Sequence, residues 1–474
     1  MTKIQAQTMK QTLWLDITTI YGWSTTAVGI VRMEMECAAY ALYHLGSSVR
    51  FCRFDREHGY VVVDSQELNE ILSRLKNKAK LQNFAHHFPA KYPTRLALWK
   101  HRVNKVIHVL PATVANRIWS FGAQRKHAVL ALYRAWQEIR SALKEAMHPS
   151  LQRSIQSDPV IAHAIYGGLR APFEKGDVYI SMGLDWDQKD LPYLYAQKRA
   201  IGFKAILFCY DIIPILLPHL CVGNVAAAFG KYFADVAWCA DQLFCISDQS
   251  KVDLTGFLKS IGTPVPEMQV VHLGCDLVDR LEDSADLAIA SLMHSPYLLF
   301  VSTIERRKNH EVLYRAYIRL IEAGTTNLPK LVFVGKMGWG VQDFLADLQY
   351  DPRIAGYIQI LHYVTDADLS YLYRHAYFTV FPSLYEGWGL PVAESLMSGK
   401  FCLASNSASI PEVGGDFVEY IEPWDVNAWA HRIAYYVEHP EEVKKREMHI
   451  AQHYQPITWQ AASEQLFIRA QELV

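Results

Sequence analysis

Residues 296–334 read PYLLFVSTIERRKNHEVLYRAYIRLIEAGTTNLPKLVFV, a short apolar run, an amphipathic stretch and a second apolar run. Tyr297–Val301 and Lys330–Val334 are about as long as a typical strand, while Asn309 to Ala323 repeats its apolar residues at helical spacing. The runs are continuous and do not alternate, so both faces of these strands are to be buried. That is the mark of a parallel sheet with crossover helices. The rhythm continues through Val341 to Gln349, Tyr357 to Tyr363, Asp366 to His375, Tyr377 to Phe381, Leu390 to Ser398 and Phe401 to Ala404. It predicts a doubly wound α/β domain.

The first half follows the same outline less regularly. Leu13–Ile17 reads as a first strand and Val28 to Leu45 as a first helix. Val49 to Phe54, Val178 to Met182, Ala205 to Tyr210, Gln242 to Ile246 and Met268 to Leu273 are further strand candidates. A chain of 474 residues is long enough for two or three domains. The boundaries expected are a first α/β domain over 1–285, a second over 286–456, and a C-terminal helix over 457–474 that crosses back to the first. Leu277 to Ser295 would carry the crossover. Half the residues are hydrophobic and a fifth charged, the make-up of a folded globular protein. Eight scattered cysteines without a CxxC pair, mostly in apolar runs, fit cytosolic usage. The N-terminus lacks a signal-peptide pattern, and the longest apolar stretch, Ile212 to Gly230, is interrupted by Pro214, Pro218, His219 and Asn224.

The segment richest in chemistry is Phe381-Pro-Ser-Leu-Tyr-Glu386-Gly-Trp-Gly-Leu-Pro391-Val-Ala-Glu394. A strand runs into a loop with Gly387, Gly389 and a carboxylate, and then into a helix near Leu390 whose first turn suits Pro391. The glycines would let the backbone approach a ligand closely, near the positive end of the helix, as a phosphate or sugar hydroxyl requires. By itself such a turn is also compatible with a plain tight connection.

This segment resembles the signature of the retaining "group 1" glycosyltransferases of the GT-B fold, in which two Rossmann-like domains face each other across a cleft. Flanking segments agree in order and spacing: Val301-Ser-Thr-Ile-Glu-Arg-Arg-Lys308-Asn309, Val334-Gly335-Lys336-Met-Gly338-Trp339 and Ala404 to Asp416. The first domain resembles more loosely the bacterial mannosyl- and rhamnosyltransferases of surface-polysaccharide assembly, through Leu15-Asp16, Gly29-Ile-Val-Arg32, Tyr179-Ile-Ser and Tyr210-Asp211-Ile-Ile-Pro214. Thr458-Trp459 is similar to that family's return of the C-terminus.

The resemblance implies that Glu386 orients the donor sugar, Glu394 takes the nucleotide ribose, and Lys308 neutralises the leaving diphosphate. Where the family often has an Arg five residues before this Lys, the chain has Thr303; Arg306 or Arg307 could supply that charge, and the sequence leaves open which of them, if either, points inward. Asp211 would meet donor or acceptor hydroxyls, or else cap a strand end. Gly29, Gly335, Gly387, Trp388, Gly389 and Leu390 would line the donor site with Arg307. Asp185-Trp186-Asp187 resembles the metal-binding DxD of another glycosyltransferase fold and is set aside; no cofactor and no metal is expected.

Arg74 to Arg153 interrupts the first domain with helical patterns broken at prolines, and holds sixteen Lys or Arg against Glu138 and Glu145. With its tryptophans and phenylalanines this basic insertion suits an anionic membrane surface. A merely solvated or oligomer-forming face is the alternative, and no nucleic-acid motif accompanies it. The reading that results is a cytoplasmic, peripheral enzyme. It would move a sugar, with mannose from GDP-mannose the leading candidate, from a nucleotide-sugar donor to a glycan or lipid-linked acceptor. Its rivals are a nucleotide-sugar epimerase or phosphorylase on the same fold and an inactive membrane-bound scaffold.

Overall fold

The structure, a computed structural model, describes residues 11–85, 171–276 and 295–473 apart from positions 26, 28, 222 and 224, together with Ile289 and Leu292. For residues 77–85 it describes the backbone alone. Most of the basic segment 74–153 and of the crossover expected over Leu277 to Ser295 therefore lies outside the described residues.

Seven strands build the first sheet: β1 (Leu13–Asp16), β2 (Val49–Asp55), β3 (Gly59–Val63), β4 (Val178–Ile180), β5 (Lys204–Cys209), β6 (Gln242–Cys245) and β7 (Glu267–Val270). Their order is β3-β2-β1-β4-β5-β6-β7. Every neighbouring pair is parallel except β2 and β3, a hairpin with Phe54 opposite Tyr60. Leu15 faces Phe51 on one side and Ile180 on the other. The second sheet has six parallel strands: β8 (Tyr297–Val301), β9 (Lys330–Val334), β10 (Ile358–Leu361), β11 (Phe378–Phe381), β12 (Cys402–Ser405) and β13 (Glu419–Ile421). Their order is β10-β9-β8-β11-β12-β13. Two Rossmann-like sheets are thus present, each reversing direction once, between β1 and β4 and between β8 and β11. Open α/β sheets bind ligands outside the carboxyl ends of the strands at such reversals.

The burial of β8 explains its sequence. Leu298 and Phe300 join one apolar cluster with Val312, Leu313 and Tyr317 of the helix His310–Glu322. Tyr297 and Leu299 join another, on the opposite face, with Leu372 and Tyr373. A strand clad on both faces has no solvent side to alternate with. The helix begins at Asn309, whose φ of 60° turns the chain out of β8's loop, and ends one residue before Ala323 and Gly324, the latter at φ 75°.

Two strands are absent from the sequence reading. β3 follows a charged turn, Arg56–His58, with none of the Asn-Gly chemistry that marks a tight hairpin. β13 is three residues long and only partly buried. The first helix, expected over Val28 to Leu45, runs from Ile30 to Tyr40 and closes with a π turn over Ala41–Leu45.

The helix Trp459–Gln471 packs into the first domain, with Trp459, Leu466 and Phe467 in the cluster that holds Leu13, Val31 and Cys37. Thr458 caps it by accepting from the Ala461 amide at 3.1 Å. Gly274 makes the return possible, because a Cβ there would lie 2.4 Å from the Cα of Trp459. The eight cysteines are all free thiols. Among the described residues no helix is long and apolar enough to cross a membrane.

A charged cluster is sealed beneath the carboxyl end of β1. Lys189 Nζ lies 2.9 Å from both Asp16 Oδ1 and Asp185 Oδ1, and none of the three meets solvent appreciably. The first carboxylate of the DxD-like pattern is thereby spent on an internal ion pair. Glu34 is sealed in the same region: its Oε1 accepts from the Ile20 amide at 2.9 Å, while Oε2 has no partner among the described residues. Burial, only partly offset by Lys189, raises the Glu34 carboxyl to about 8 from an ordinary value of 4.5. Between those two values the folded chain holds a proton that the unfolded chain has released. Each pH unit in the window therefore removes up to about 1.4 kcal/mol of stability. Glu34→Gln lacks this titration, so the difference in unfolding free energy, variant minus wild type, should grow between pH 4.5 and pH 8. A difference that stays flat in denaturant titrations across that window would show that Glu34 is ionised in the fold.

Candidate functional site

Two loops meet at the reversal of the second sheet. After β8 the chain passes through Ser302 and Thr303 into a 3-10 turn, Arg306–Lys308, and leaves through Asn309. After β11 it runs from Pro382 to Gly389 and enters the helix Leu390–Met397. Asn309 Nδ2 donates to the carbonyls of Pro382 (3.2 Å) and Pro423 (2.7 Å), fastening the loops that follow β8, β11 and β13. Leu384 N donates to Arg307 O at 2.9 Å.

Glu386 stands at the centre of this junction and is 8% exposed. Lys308 Nζ donates to its Oε1 at 2.5 Å, Arg307 Nη1 lies 2.9 Å from its Oε2, and Ser383 Oγ donates to Oε1 at 2.6 Å. Arg307 also donates to the Tyr385 carbonyl and, through Nη2, to Glu305 Oε1 at 2.8 Å. Burial alone would raise Glu386, but Arg307 and then Lys308 outweigh it and hold the carboxyl at about 2. Burial and the neighbouring Arg307 lower Lys308 despite its bond to Glu386. Burial acts against the charge of Arg307 too, yet Glu386 and Glu305 together keep its proton bound more tightly than usual. The four groups form a desolvated, internally neutral cluster of two cations and two carboxylates.

The two arginines after Thr303 point in different directions. Arg306 is exposed, whereas Arg307 turns inward onto Glu386. The Thr303 side chain faces Gly338, where an added Cβ would come within 2.9 Å of Thr303 Cγ2. Asp211, just beyond β5 of the first domain, reaches the same place. A Cβ on Gly387 would lie 2.5 Å from Tyr210 O and 3.0 Å from Asp211 Cβ. Asp211 Oδ1 accepts from the Ile213 amide at 3.0 Å; burial raises its carboxyl, with Arg307 as the largest opposing influence.

The other site candidates lie around this centre. Glu394, in the helix after Gly389, accepts from Tyr373 Oη at 2.8 Å; burial raises its carboxyl, and Tyr373 and Arg32 of the first domain act against that rise. Gly389 takes φ 125°, a conformation reserved for glycine, which aims the helix start at the loop. Gly29 precedes the first-domain helix at φ 55°, and none of the described residues comes within 4 Å of its Cβ position. Gly335 has a steric reason to be glycine, since a Cβ would fall 1.9 Å from Ser302 O. Trp388 and Leu390 pack on the first domain's apolar cluster, so their side chains do not join the ionic centre.

Glu305, Ser383 and Ser409 escape the sequence reading. Glu305, 3% exposed between cations, had a signal in the quoted Ile304-Glu-Arg-Arg-Lys308 run. Ser409, whose Oγ lies 2.8 Å from the carbonyls of both Glu386 and Trp388, lies in the quoted Ala404 to Asp416 segment, where nothing set it apart from its neighbouring serines. Removing Arg307 leaves two buried carboxylates short of a partner, so Arg307→Ala should cost about 3 kcal/mol or more. Arg306→Ala, at an exposed position, should stay within about 0.5 kcal/mol. Urea unfolding of the two variants checks this; equal losses would contradict the inward placement of Arg307.

Residues 287–455 match the family model described as glycosyl transferases group 1. The chain is similar to the O-antigen chain mannosyltransferase B of Escherichia coli, 34% identical over 229 residues that cover 48% of this chain and 59% of that protein. It is also similar to the serotype-specific mannosyltransferase WbdA of Escherichia coli, 28% identical over 236 residues, 47% of this chain and 28% of that protein. The chain thus spans less than two thirds of the length of either relative. Among solved structures, the sucrose-phosphate synthase of Thermosynechococcus elongatus superposes with a TM-score of 0.53 at 15% identity, covering 98% of this chain and 99% of that one. Anabaena HepE in complex with UDP does so with a TM-score of 0.53 at 12% identity, covering 98% and 100%. Residues 287–455, which make up the second α/β domain, are thus similar to the group 1 glycosyl transferases, and the chain as a whole has the two-domain GT-B fold.

Proposed function

We propose that this chain transfers mannose from GDP-mannose, with retention of configuration, to a glycan or lipid-linked acceptor of a bacterial surface polysaccharide. The observation that carries the reading is the Lys308–Glu386–Arg307 cluster at the carboxyl edge of β8 and β11, facing Asp211 of the first domain. The mannosyltransferases among its relatives support the choice of sugar.

In this reading the bound sugar's hydroxyls take over Glu386, and Lys308, released from that carboxylate, turns to the diphosphate. The bond from the sugar's anomeric carbon to the diphosphate oxygen breaks, and charge develops on the leaving group. Lys308 lies where that charge accumulates and is already desolvated, so little reorganisation is needed at the moment of reaction. The acceptor oxygen bonds to the anomeric carbon on the face that the diphosphate leaves, and its proton passes to a diphosphate oxygen. Arg307 keeps Glu386 ionised and oriented from the other side. Tyr373 occupies one oxygen of Glu394 and leaves the other for the ribose. Asp211 would address a sugar or acceptor hydroxyl. Gly29 would bring backbone amides of the first-domain helix toward the phosphates. Cationic side chains then do the work that a metal ion does on other folds, which is consistent with the engagement of Asp185 by Lys189.

A screen of GDP-, UDP- and dTDP-sugars by thermal shift and donor consumption tests this. GDP and GDP-mannose should stabilise the chain, and Lys308→Ala and Glu386→Gln should each lower turnover about a hundredfold or more. If UDP or dTDP stabilises it instead, the mannose assignment falls while sugar transfer stands. If the folded chain consumes no sugar nucleotide, with or without membranes, the scaffold reading takes over.

The basic segment 74–153 would bring the enzyme to the cytoplasmic face of a membrane that carries a lipid-linked acceptor. Vesicle flotation should then show binding to vesicles rich in anionic phosphatidylglycerol and release as salt shortens the Debye length below about 5 Å. Equal partition to neutral phosphatidylcholine vesicles would remove the membrane from the proposal.

A further inference from the structure

The loop that presents Glu386 is held from the opposite domain on both sides of that residue. Tyr385 Oη donates to Asp253 Oδ2 at 2.7 Å, and Gln249 Nε2 donates to Tyr385 Oη at 3.3 Å. Gly387 abuts the Tyr210 carbonyl, and its own carbonyl lies 3.4 Å from Ser250 Oγ. The Trp388 ring stacks on His272 with centroids 4.6 Å apart. Residues 385, 387 and 388 therefore touch the first domain, while Glu386 turns away into the cation pair of the second.

A second grip lies beside the first. Glu412, in the short helix Ile410–Gly414, accepts the amides of Asp248 at 2.7 Å and Gln249 at 2.8 Å, one on each carboxylate oxygen. These amides open the thirteen-residue helix Asp248–Ser260, whose Ser250 amide is capped by Ser247 Oγ at 3.0 Å. A helix start holds otherwise unmet donors and partial positive charge, and a carboxylate from across the cleft satisfies both. Ser409, one turn before Glu412, bonds the carbonyls of Glu386 and Trp388. The grip on the helix and the shape of the Glu386 loop are thus joined through one short segment.

We propose that Glu412 and the Tyr385–Asp253 pair are positioning residues of an interdomain latch that orders the Glu386 loop only when the two domains close. The consequence for turnover rests on the transferase reading; the latch itself has a structural readout. When the domains part, Glu412 loses both amides and Tyr385 loses Asp253, so Glu386 keeps its cations but not its loop geometry. Closure and the readiness of the sugar-facing carboxylate become one event.

The test uses the full chain with Glu412→Ala, Glu412→Gln and Tyr385→Phe, the last removing a single hydroxyl from an otherwise intact ring. Circular dichroism verifies that each is folded. Glu412→Ala should enlarge the radius of gyration measured by small-angle X-ray scattering without nucleotide. It should also lower kcat for GDP-mannose about tenfold and leave GDP affinity unchanged by calorimetry. Glu412→Gln, which retains one acceptor oxygen, should fall between Ala and wild type. Tyr385→Phe should lower kcat without moving GDP affinity. An unchanged radius together with unchanged kcat in Glu412→Ala overturns the latch. A loss of GDP affinity in Glu412→Ala overturns it as well, by making Glu412 part of the donor site. If the wild type consumes no GDP-mannose, the donor assignment fails, and the radius of gyration of Glu412→Ala still decides the latch.

Discussion

A carboxylate withdrawn from water must be compensated nearby, and the burial of Glu386 imposes that demand on everything around it. Arg307 and Lys308 answer it with charge, Ser383 with a hydroxyl, and Glu305 holds Arg307 in place from the far side. Removing water from such a cluster strengthens each attraction but makes each partner indispensable. The glycines nearby follow from the same crowding. Gly335 lets the loop after β9 nest against Ser302, and Gly387 lets the loop after β11 pass the backbone of Tyr210. The ionic centre and the close approach of backbones are two sides of one packing solution.

The cluster lies where the second sheet reverses, and the first sheet reverses between β1 and β4, above its own buried charges. The two centres differ in kind. Lys189 is wrapped by Asp16 and Asp185 inside one domain and is closed to any ligand. Glu386 sits at a boundary that two domains share, and in the proposed transfer a substrate entering between them would displace one set of partners for another. That difference is why the proposed function rests on the second centre, while the first holds the end of β1 in place.

Much of the fold was legible in the residues. The apolar runs of β8, β9 and β11 announce strands buried on both faces, and the spacing of Val312, Leu313, Ala316, Tyr317 and Leu320 announces the helix between them. The reading missed β3 and β13, one behind a turn without its usual residues and one too short to carry a pattern. Within the site, the motif around Glu386 and Glu394 stood out because glycines, a proline and two carboxylates recur at fixed spacing. Asp253 had no such mark, since an Asp on a helix face resembles any other until its partner is known, and Ser409 sat in a quoted segment without anything to single it out there.

What the sequence determined by itself is the periodicity of the elements, the identity of the charged residues and the glycines the backbone cannot replace. These are local properties, set within a few residues of each position. Only the tertiary structure decided that Arg307 and not Arg306 turns inward, because a 3-10 turn sends consecutive side chains in different directions. Only it decided that Asp185 is spent on Lys189, and that Glu412 caps a helix more than a hundred and sixty positions earlier in the chain. Such pairings depend on how two sheets are wound and brought together, and electrostatic partners chosen through space leave no trace in the spacing of residues along the chain.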